Sequence, residues 1–468
     1  MLFNVIYPLL SFAVVSIASL LMTRFCIDTF GYEGLGIISN SNAVIQSLFF
    51  VGGAFVTVYA RAYTRATVEE EKSYIYSELY RFLSILFFVS VMISISLGIL
   101  FYFNLMDTGG YYAYVFLACG VTILSQTYII FPFASNKVYV ASLLDTLRSL
   151  LRIVICVILA STIYIDVNSN AISMLLSAFI VFALSRFIYS RRHPLLKVGF
   201  SFNSRVRESL WVCLNQAGSY AFSFADIILV SSLLGYAASG EYTLLLQIPI
   251  LAKSACLVLI GSFASYAVYI SKTTGFELER KIYPVFRVLS LLFSFAFFVF
   301  ISFSEPFYKV WLGYSLSPEH AELLGVIVAL VSLNVVSNIA SPFVTAWGIY
   351  SAPAKLTCFF ALCSLCVLLF IPFIGVDYSL RLIFCVIYVS LFLKNLTQLY
   401  LLSQHAGLTF TGIIKNLFMY PTIFFCVYTV MSFFNFSGVY VGVSAFVMLS
   451  GLLLFNFDEI RCIISFKI

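Results

Sequence analysis

The sequence is poor in charge: 10% of its 468 residues are Asp, Glu, Lys or Arg, whereas 62% are hydrophobic. Soluble domains carry about 25% charged residues, so most of this chain cannot form a water-facing surface. The three histidines are scattered, and no Ser-His-Asp, zinc-binding or Gly-x4-Gly-Lys spacing occurs. We therefore expect a polytopic membrane protein that is not an enzyme, with no cofactor, no metal and no nucleic-acid partner.

The first apolar stretch lacks the features of a cleaved signal peptide. Residues 1–23 hold no positive n-region and no small-residue cleavage site, so we expect this segment to stay in the mature chain. The eleven cysteines lie mostly inside apolar runs, as in Cys358 to Cys366. This distribution is typical of small packing residues and predicts neither disulfides nor a metal site.

Apolar runs long enough to cross a bilayer fill most of the chain. A helix needs about 20 apolar residues to cross roughly 30 Å of hydrocarbon, and cutting at charges, Gly/Pro clusters and polar runs gives fourteen spans. The expected fold class is an all-α polytopic membrane protein. The predicted spans are 3–23, 37–60, 82–103, 111–133, 140–165, 171–189, 209–234, 242–270, 284–303, 323–347, 356–374, 380–402, 416–433 and 438–457.

Basic residues are distributed unevenly between the two sides of these spans. With the N-terminus inside, the outer loops hold only Arg24, Lys309 and Arg381. This positive-inside bias predicts a multi-pass membrane protein with both termini in the cytoplasm. The inner loops and their edges hold nineteen of the twenty-six Lys and Arg residues, namely Arg61, Arg65, Lys72, Arg81, Lys137, Arg191, Arg192, Lys197, Arg205, Arg207, Lys272, Arg280, Lys281, Arg287, Lys355, Lys394, Lys415, Arg461 and Lys467.

The longest inner loop, 191–208, follows the sixth span and carries five Lys or Arg against one acidic residue. Such a basic loop typically binds anionic lipid and fixes topology, and here it also marks a joint between halves. The predicted domains are a six-helix bundle over 1–190, the linker 191–208, a second six-helix bundle over 209–403, and a two-helix hairpin with a short tail over 404–468.

Two short stretches of the first half return in the second. FGYEGLG at Phe30–Gly36 comes back 204 residues later as LGYAASG at Leu234–Gly240, each after the first span of its half. FPFASNKVY, which closes span 4, returns 210 residues later as SPFVTAWGIY at the end of span 10. Because six is an even number of spans, the halves have the same orientation and are related by an axis along the membrane normal. The glycines predicted to form the repeated turns are Gly31, Gly36, Gly235 and Gly240.

These stretches resemble the O-antigen (Wzx-type) polysaccharide flippases, a branch of the multidrug, oligosaccharidyl-lipid and polysaccharide (MOP) exporter superfamily. The resemblance lies in TRFCIDTFGYEGLGIIS after span 1 and DIILVSSLLGYAASGEYTLLLQI across spans 7 and 8. It implies two pseudo-symmetric six-helix bundles arranged as a V around a cavity, as in MATE transporters. The positions that match the family motifs are Gly31, Gly36, Asp226, Gly235, Gly240 and Tyr242.

The resemblance also implies a function. Proteins of this branch move an undecaprenyl-pyrophosphate-linked oligosaccharide repeat unit from the cytoplasmic to the periplasmic leaflet by alternating access. The expected partners are the polyprenyl-pyrophosphate-linked glycan, the lipid bilayer, and the polymerase and chain-length enzymes of the same pathway.

Span 5 carries three charges in LLDTLRSLLRIV, and each costs roughly 2.5 to 3.5 kcal/mol at bilayer depth on insertion scales. At 100° per residue Asp145, Arg148 and Arg152 fall within about 60° and form one polar stripe. Arginine holds phosphate oxygens in a planar fork of donors and stays protonated, so the stripe is predicted to bind the lipid pyrophosphate. For Asp145 and Arg148 the alternative is a mutual ion pair that reaches the cytoplasmic interface.

Spans 7 and 8 carry Asp226 and Lys253 at similar depths, so the sequence predicts an ion pair that either locks two helices or lets the carboxylate take up a proton. Asp226 and Asp145 are the predicted ion-coupling residues, and Lys253 joins the predicted substrate site. Asn215 and Gln216 are predicted to hydrogen-bond sugar hydroxyls, with bonds to neighbouring helices as the alternative. The same two readings apply to Asn40, Asn42, Asn334 and Asn338.

Three other functions compete with the flippase. A cation-coupled MATE antiporter typically has an acidic residue in its first span, and residues 3–23 contain none. A lipid II flippase shares the fourteen spans. A membrane glycosyltransferase or polymerase needs a catalytic carboxylate or a large outer loop, whereas the longest predicted outer loop, 304–322, is short.

Overall fold

Helices make up nearly all of the described structure. The computed structural model describes residues 3–106, 108–134, 138–162, 166–189, 196, 204–222, 225–262, 267, 270, 275–347, 351–371 and 377–433. These ranges contain no strand, and the protein is an all-α polytopic membrane protein, as its sequence predicts. The helices are α1 (Phe3–Arg65), α2 (Glu69–Tyr102), α3 (Gly109–Ser125), α4 (Ile130–Ala134), α5 (Val138–Thr162), α6 (Asn168–Tyr189), α7 (Ser204–Ala221), α8 (Ala225–Leu234), α9 (Tyr236–Ser262), α10 (Gly275–Ser302), α11 (Ser304–Leu312), α12 (Pro318–Ser337), α13 (Ser341–Ala346), α14 (Ser351–Phe370), α15 (Leu380–Ala406) and α16 (Phe410–Phe433).

Predicted spans 1 to 13 each have a helix in their place. Nine helical segments of the described part are long and apolar enough to cross a bilayer. The first of them, Leu10–Thr64, holds predicted spans 1 and 2 on either side of a kink in α1. Predicted spans 5, 7 and 8 correspond to α5, to α7 with α8, and to α9. Predicted span 14, 438–457, lies outside the described residues.

The chain forms two compact units, Met1–Leu244 and Leu245–Ile468, whose boundary falls inside α9. In the first unit α3 packs against α2 and α6, and α5 packs against α1 and α6, around a core that includes Tyr59, Leu79 and Val115. In the second unit α10 packs against α12 and α16, and α15 packs against α12 and α14. The domain boundaries inferred from the basic loop and the repeat stay a prediction.

Helix α2 is much longer than the span predicted there. It begins at Glu69 rather than at residue 82 and contains 34 residues, which is about 51 Å of helix at 1.5 Å per residue. Glutamates occupy positions 69 to 71 in its first turn, where carboxylates interact favourably with the helix dipole. The predicted span was bounded by hydropathy, which identifies only the apolar part of a helix. The polar first part of α2, from Glu69 to residue 81, was therefore not predicted.

The second repeated motif interrupts a helix in the same way in both units. Helix α3 continues into α4 through a 3₁₀ turn at Gln126–Ile129, and α12 continues into α13 through one at Asn338–Ala340. Pro132 and Pro342 follow these turns at equivalent places in the motif. Proline lacks an N–H group, so the carbonyl four residues earlier loses its α-helical donor, and the chain tightens to i→i+3 bonding. This shared interruption supports the duplication.

The first repeated motif turns the chain through a left-handed glycine in both copies. Gly31 breaks α1 at φ 71°, and Gly235 separates α8 from α9 at φ 91°. A side chain clashes with its own backbone in this region, and glycine adopts it freely. Gly31 and Gly235 therefore form the predicted turns, 204 residues apart, whereas Gly36 and Gly240 lie in helical segments and have no positive φ.

The two turns also pack against each other. A Cβ atom built on Gly36 would overlap the carbonyl oxygen of Tyr236, and a Cβ atom built on Gly240 would overlap the carbonyl oxygen of Tyr32. Under the 204-residue offset Tyr32 maps onto Tyr236 and Gly36 onto Gly240, so the two contacts are reciprocal. A glycine of each copy lies against the backbone of the other copy. Because this close contact needs both glycines, it explains why the chain carries the motif twice.

We predict that Gly36→Ala and Gly240→Ala each lower the apparent melting temperature of the detergent-purified protein by several degrees, since over-packing costs about 1 to 3 kcal/mol. The double variant should cost little more than either single one, because both methyl groups separate the same two turns. Gly53→Ala is the matched control, since a Cβ there meets nothing within 4 Å. Additive losses, or single variants as stable as Gly53→Ala, would contradict the reciprocal packing.

Candidate functional site

The charged stripe of α5 lies on the inward face of that helix. At 100° per residue the stripe is roughly opposite the helix's exposed apolar residues, on the face that also carries the buried Ala141 and Cys156. Since α5 packs on α1 and α6, its charges are directed into the first unit. The exposed apolar residues that mark the outer face are Leu143, Leu147, Leu150 and Val154.

Asp145 and Arg148 form an ion pair, with 3.0 Å between the carboxylate oxygen and the guanidinium nitrogen. The guanidinium of Arg148 also lies over the ring of Phe49 on α1, 5.2 Å from the ring centre. The side chain of Asp145 is 57% exposed although its helix face is inward. The ion pair raised as the alternative from the sequence is therefore present, and its acidic member is accessible.

Arg152 lies one turn further along α5, and neutral amides hold it. Its Nη1 donates to Asn42 Oδ1 at 3.0 Å, and its Nε and Nη2 donate to Asn170 Oδ1 at 3.2 and 2.9 Å. Within the described ranges no carboxylate contacts this guanidinium. The amides orient the guanidinium group of Arg152. Because they carry no negative charge, they do not neutralise it.

A second layer of hydrogen bonds fixes the amides. Asn170 is fully buried, and its Nδ2 donates to the hydroxyl of Tyr111 at 3.0 Å. That hydroxyl also lies 2.8 Å from Ser41 Oγ. On the next residue of α3, the hydroxyl of Tyr112 accepts from Asn40 Nδ2 at 3.0 Å and interacts with the Tyr236 side chain. The polar layer thus extends from Arg152 to the repeated turn at Tyr236.

Asp226 is fully buried near the start of α8. The hydroxyl of Tyr242 donates to its Oδ2 at 2.8 Å, and the backbone N–H of Ile227 donates to its Oδ1 at 2.9 Å. Tyr242 is one of the positions that match the family motifs, but its hydrogen bond to Asp226 was not predicted from the sequence. Asp226 belongs to the first unit and Lys253 to the second, and the ion pair between them stays a prediction.

Two residues of the predicted site lie where side chains are not described. Asn215 and Gln216 are on α7, and their assignment to sugar hydroxyls stays a prediction. Among the described residues there is no group of three His, Cys, Asp or Glu side chains that could hold a metal. The guanidinium groups of Arg148 and Arg152 are hydrogen-bond donors of the kind that bind anions, and their assignment to a pyrophosphate stays a prediction.

In the second unit, polar amides bond α12 to α15. Asn334 Nδ2 donates to the carbonyl oxygen of Tyr388 at 3.2 Å, and Asn395 Nδ2 donates to Ser337 Oγ at 2.8 Å. Asn334 therefore bonds a neighbouring helix, which is one of the two roles considered for it from the sequence. Nearby, the ammonium group of Lys253 lies 5.7 Å from the centre of the Tyr388 ring.

Lys394, which the charge distribution assigns to an inner edge, lies inside α15, twelve residues before the end of the helix at Ala406, which is about 18 Å along the axis. Its position relative to the membrane stays a prediction. The residue is only 8% exposed. The signal for this buried cation was in the sequence, because Lys394 interrupts the apolar run of predicted span 12.

No protein-family model matches the sequence. Among curated proteins the chain is similar to the uncharacterized membrane protein EpsK of Bacillus subtilis (strain 168), with 24% identity over 325 residues. This match covers 64% of the chain, and the chain spans 63% of the length of that relative.

The fold is similar to that of solved MOP-superfamily transporters. The lipid II flippase MurJ in an inward closed conformation aligns with a TM-score of 0.69 at 12% identity, over 98% of this chain and 100% of that chain. An inward-facing MATE multidrug transporter aligns at 0.66 and 14% identity, over 88% and 99% of the two chains. A MOP transporter from Pyrococcus furiosus, described as having a binding pocket of reversed polarity, aligns at 0.59 and 15% identity, over 90% and 95%. At these identities the likeness defines the fold alone, which is that of the MOP transporters.

Proposed function

We propose that this protein is a flippase that carries an undecaprenyl-pyrophosphate-linked oligosaccharide, such as an O-antigen repeat unit, from the cytoplasmic to the periplasmic leaflet of the bacterial inner membrane. The observation that carries the proposal is Arg152, whose described hydrogen bonds all go to neutral amides on α1 and α6. The MOP fold supports it, since the proteins that share this fold are named as transporters and flippases. Polymerase and chain-length enzymes are the proposed partners.

The electrostatics of α5 suit a pyrophosphate better than a monovalent anion. An uncompensated cation at bilayer depth costs roughly 2.5 to 3.5 kcal/mol, and a bound anion offsets that cost. Arg148 and Arg152 are four residues apart, so their Cβ atoms lie about 5 to 6 Å from each other on the same face. Two planar forks at this spacing can hold the two phosphates of one pyrophosphate group.

Asp145 gives Arg148 a partner that a substrate can displace. Its carboxylate holds Arg148 in an ion pair, and a pyrophosphate that binds the guanidinium groups competes with that carboxylate for Arg148. In the proposed alternating-access cycle the pyrophosphate binds from the cytoplasmic side while the lipid tail stays in the bilayer. Asp145 and Asp226 keep their proposed roles as ion-coupling residues.

A MATE-type antiporter fits this site less well, because the guanidinium group of Arg152, which has only amide partners among the described residues, repels cationic drugs. A lipid II flippase has the same lipid pyrophosphate chemistry and differs in the sugar that it carries. The sugar on the transported lipid therefore separates the two flippases.

We predict that Arg152→Gln abolishes export of the surface polysaccharide while the amount of protein in the membrane is unchanged. Arg152→Lys keeps the charge and loses the fork, so export should fall at least tenfold without disappearing. Arg381→Gln is the control, since Arg381 is a half-exposed outer residue paired with Glu322, and export should be normal. Normal export in Arg152→Gln would remove Arg152 from the site.

Asp145→Asn should free Arg148 permanently. We expect inorganic pyrophosphate to bind the detergent-purified variant roughly three- to tenfold more tightly than the wild type, because no carboxylate competes for the guanidinium group. Export should fall, because tighter binding slows release of the substrate. Calorimetric titration measures the binding, and unchanged affinity with full export would leave Asp145 as a structural partner of Arg148.

A further inference from the structure

The second segment of α1, which follows the kink at Gly31, exposes a polar face. Among the residues from 37 to 64 whose side chains are described, every exposed one is polar. These exposed residues are Gln46, Thr57, Arg61 and Thr64. At 100° per residue the four positions fall within about 60° of one another, so they share one face of the helix. From Gln46 to Thr64 this polar face extends about 27 Å, which is most of the thickness of the hydrocarbon core.

Helix α2, which packs against α1, exposes a surface of the opposite character. Between residues 85 and 101 its exposed residues are apolar except Ser96, with Phe88 and Met92 among them. Apolar side chains suit contact with lipid, whereas glutamine, threonine and arginine at bilayer depth are stable only beside water or a polar partner. The exposed surface of α2 is therefore suited to lipid, and the polar face of α1 is suited to water.

The groups on the polar face are available to a ligand. Within the described ranges the side chain of Gln46 makes no hydrogen bond, so its amide can both donate and accept. Thr57 Oγ1 donates to the carbonyl oxygen of Gly53 at 2.8 Å, which leaves the lone pairs of the hydroxyl for an outside donor. Gly53 lies on the same face, and a Cβ atom built there would meet nothing within 4 Å. The backbone beside Thr57 is therefore open to a bulky ligand.

The polar face continues directly from the hydrogen bond that holds Arg152. Asn42 accepts from Arg152 Nη1 at 3.0 Å, and it lies four residues before Gln46, which is about 6 Å along the axis. A ligand whose anionic end binds Arg152 is placed to extend its remaining groups along Gln46, Gly53 and Thr57. These residues are neutral, so they suit hydroxyl groups, which donate and accept, and do not suit a second phosphate.

We infer that the polar face of α1 binds the glycan part of the transported lipid, with Gln46, Gly53 and Thr57 in contact with the sugars. The inference rests on the proposed flippase function for the identity of the ligand. It adds to that function the surface that contacts neutral sugar hydroxyls, whereas Arg148 and Arg152 are assigned to the pyrophosphate. None of the three residues of the face was a candidate from the sequence.

The first test asks whether water reaches the polar face. Thr57→Cys and Phe88→Cys are compared in lipid nanodiscs with a charged methanethiosulfonate reagent, and mass spectrometry measures the modification at each introduced cysteine. We expect the thiol at position 57 to react roughly tenfold faster or more, because a charged reagent is excluded from lipid. Equal reaction rates at the two positions would overturn the inference.

The second test asks whether the glycan uses the polar face. Gly53→Trp fills the open space and displaces a bound sugar, so polysaccharide export should fall roughly tenfold or more, while the amount of protein and its melting temperature stay as in the wild type. Gln46→Leu removes hydrogen bonds to the sugar, and export should fall roughly three- to tenfold. Ser96→Trp on the apolar surface of α2 is the matched control, and its export should be normal.

The results separate failure of this inference from failure of the proposed function. Loss of export in Gly53→Trp and Gln46→Leu, with normal export in Ser96→Trp, supports glycan binding at the polar face. Normal export in both variants of the face overturns the inference and leaves the flippase proposal standing. If a strain that lacks the protein accumulates no sugar-linked polyprenyl pyrophosphate, the proposed function fails, and the glycan as ligand fails with it.

Discussion

The reciprocal contact of the two repeated motifs fixes how closely α1 approaches the junction of α8 and α9 in the first unit. Gly36 lies against the Tyr236 backbone and Gly240 against the Tyr32 backbone, so α1 meets the junction of α8 and α9 at a distance that no side chain permits. The helical segment that leaves the first turn carries Asn42 six residues after Gly36, about 9 Å along the axis. The turn therefore helps to set where an amide meets Arg152.

Charge compensation divides the charged residues of the candidate site into two kinds. Asp145 with Arg148, and Asp226 with Tyr242, have a partner of suitable chemistry within the first unit. Arg152 has only neutral amides among the described residues. A charged group that has such a partner costs less to bury. A cation whose partners are all neutral still attracts an anionic ligand. This division is why a transported anion explains the structure better than a set of structural ion pairs.

The sequence predicted the helical membrane fold, the duplication and the charged face of α5, because apolar length, repeated turn glycines and a 3.6-residue period are local properties. It did not predict that each glycine faces the other turn, since a sequence does not show which backbone approaches it. Asn170, which holds Arg152, was not considered, because it stands just before predicted span 6 and reads as loop sequence. Lys394 was assigned to an edge by the charge distribution between loops, although its position inside an apolar run indicated burial.

The measurement that tests the central claim most directly is an analysis of polyprenyl lipids from a strain that lacks this protein. The account predicts that a sugar-linked polyprenyl pyrophosphate accumulates in the cytoplasmic leaflet while the surface polysaccharide disappears. The sugars of that intermediate would identify the substrate. Normal lipid intermediates together with sensitivity to cationic drugs would contradict the account and indicate an antiporter.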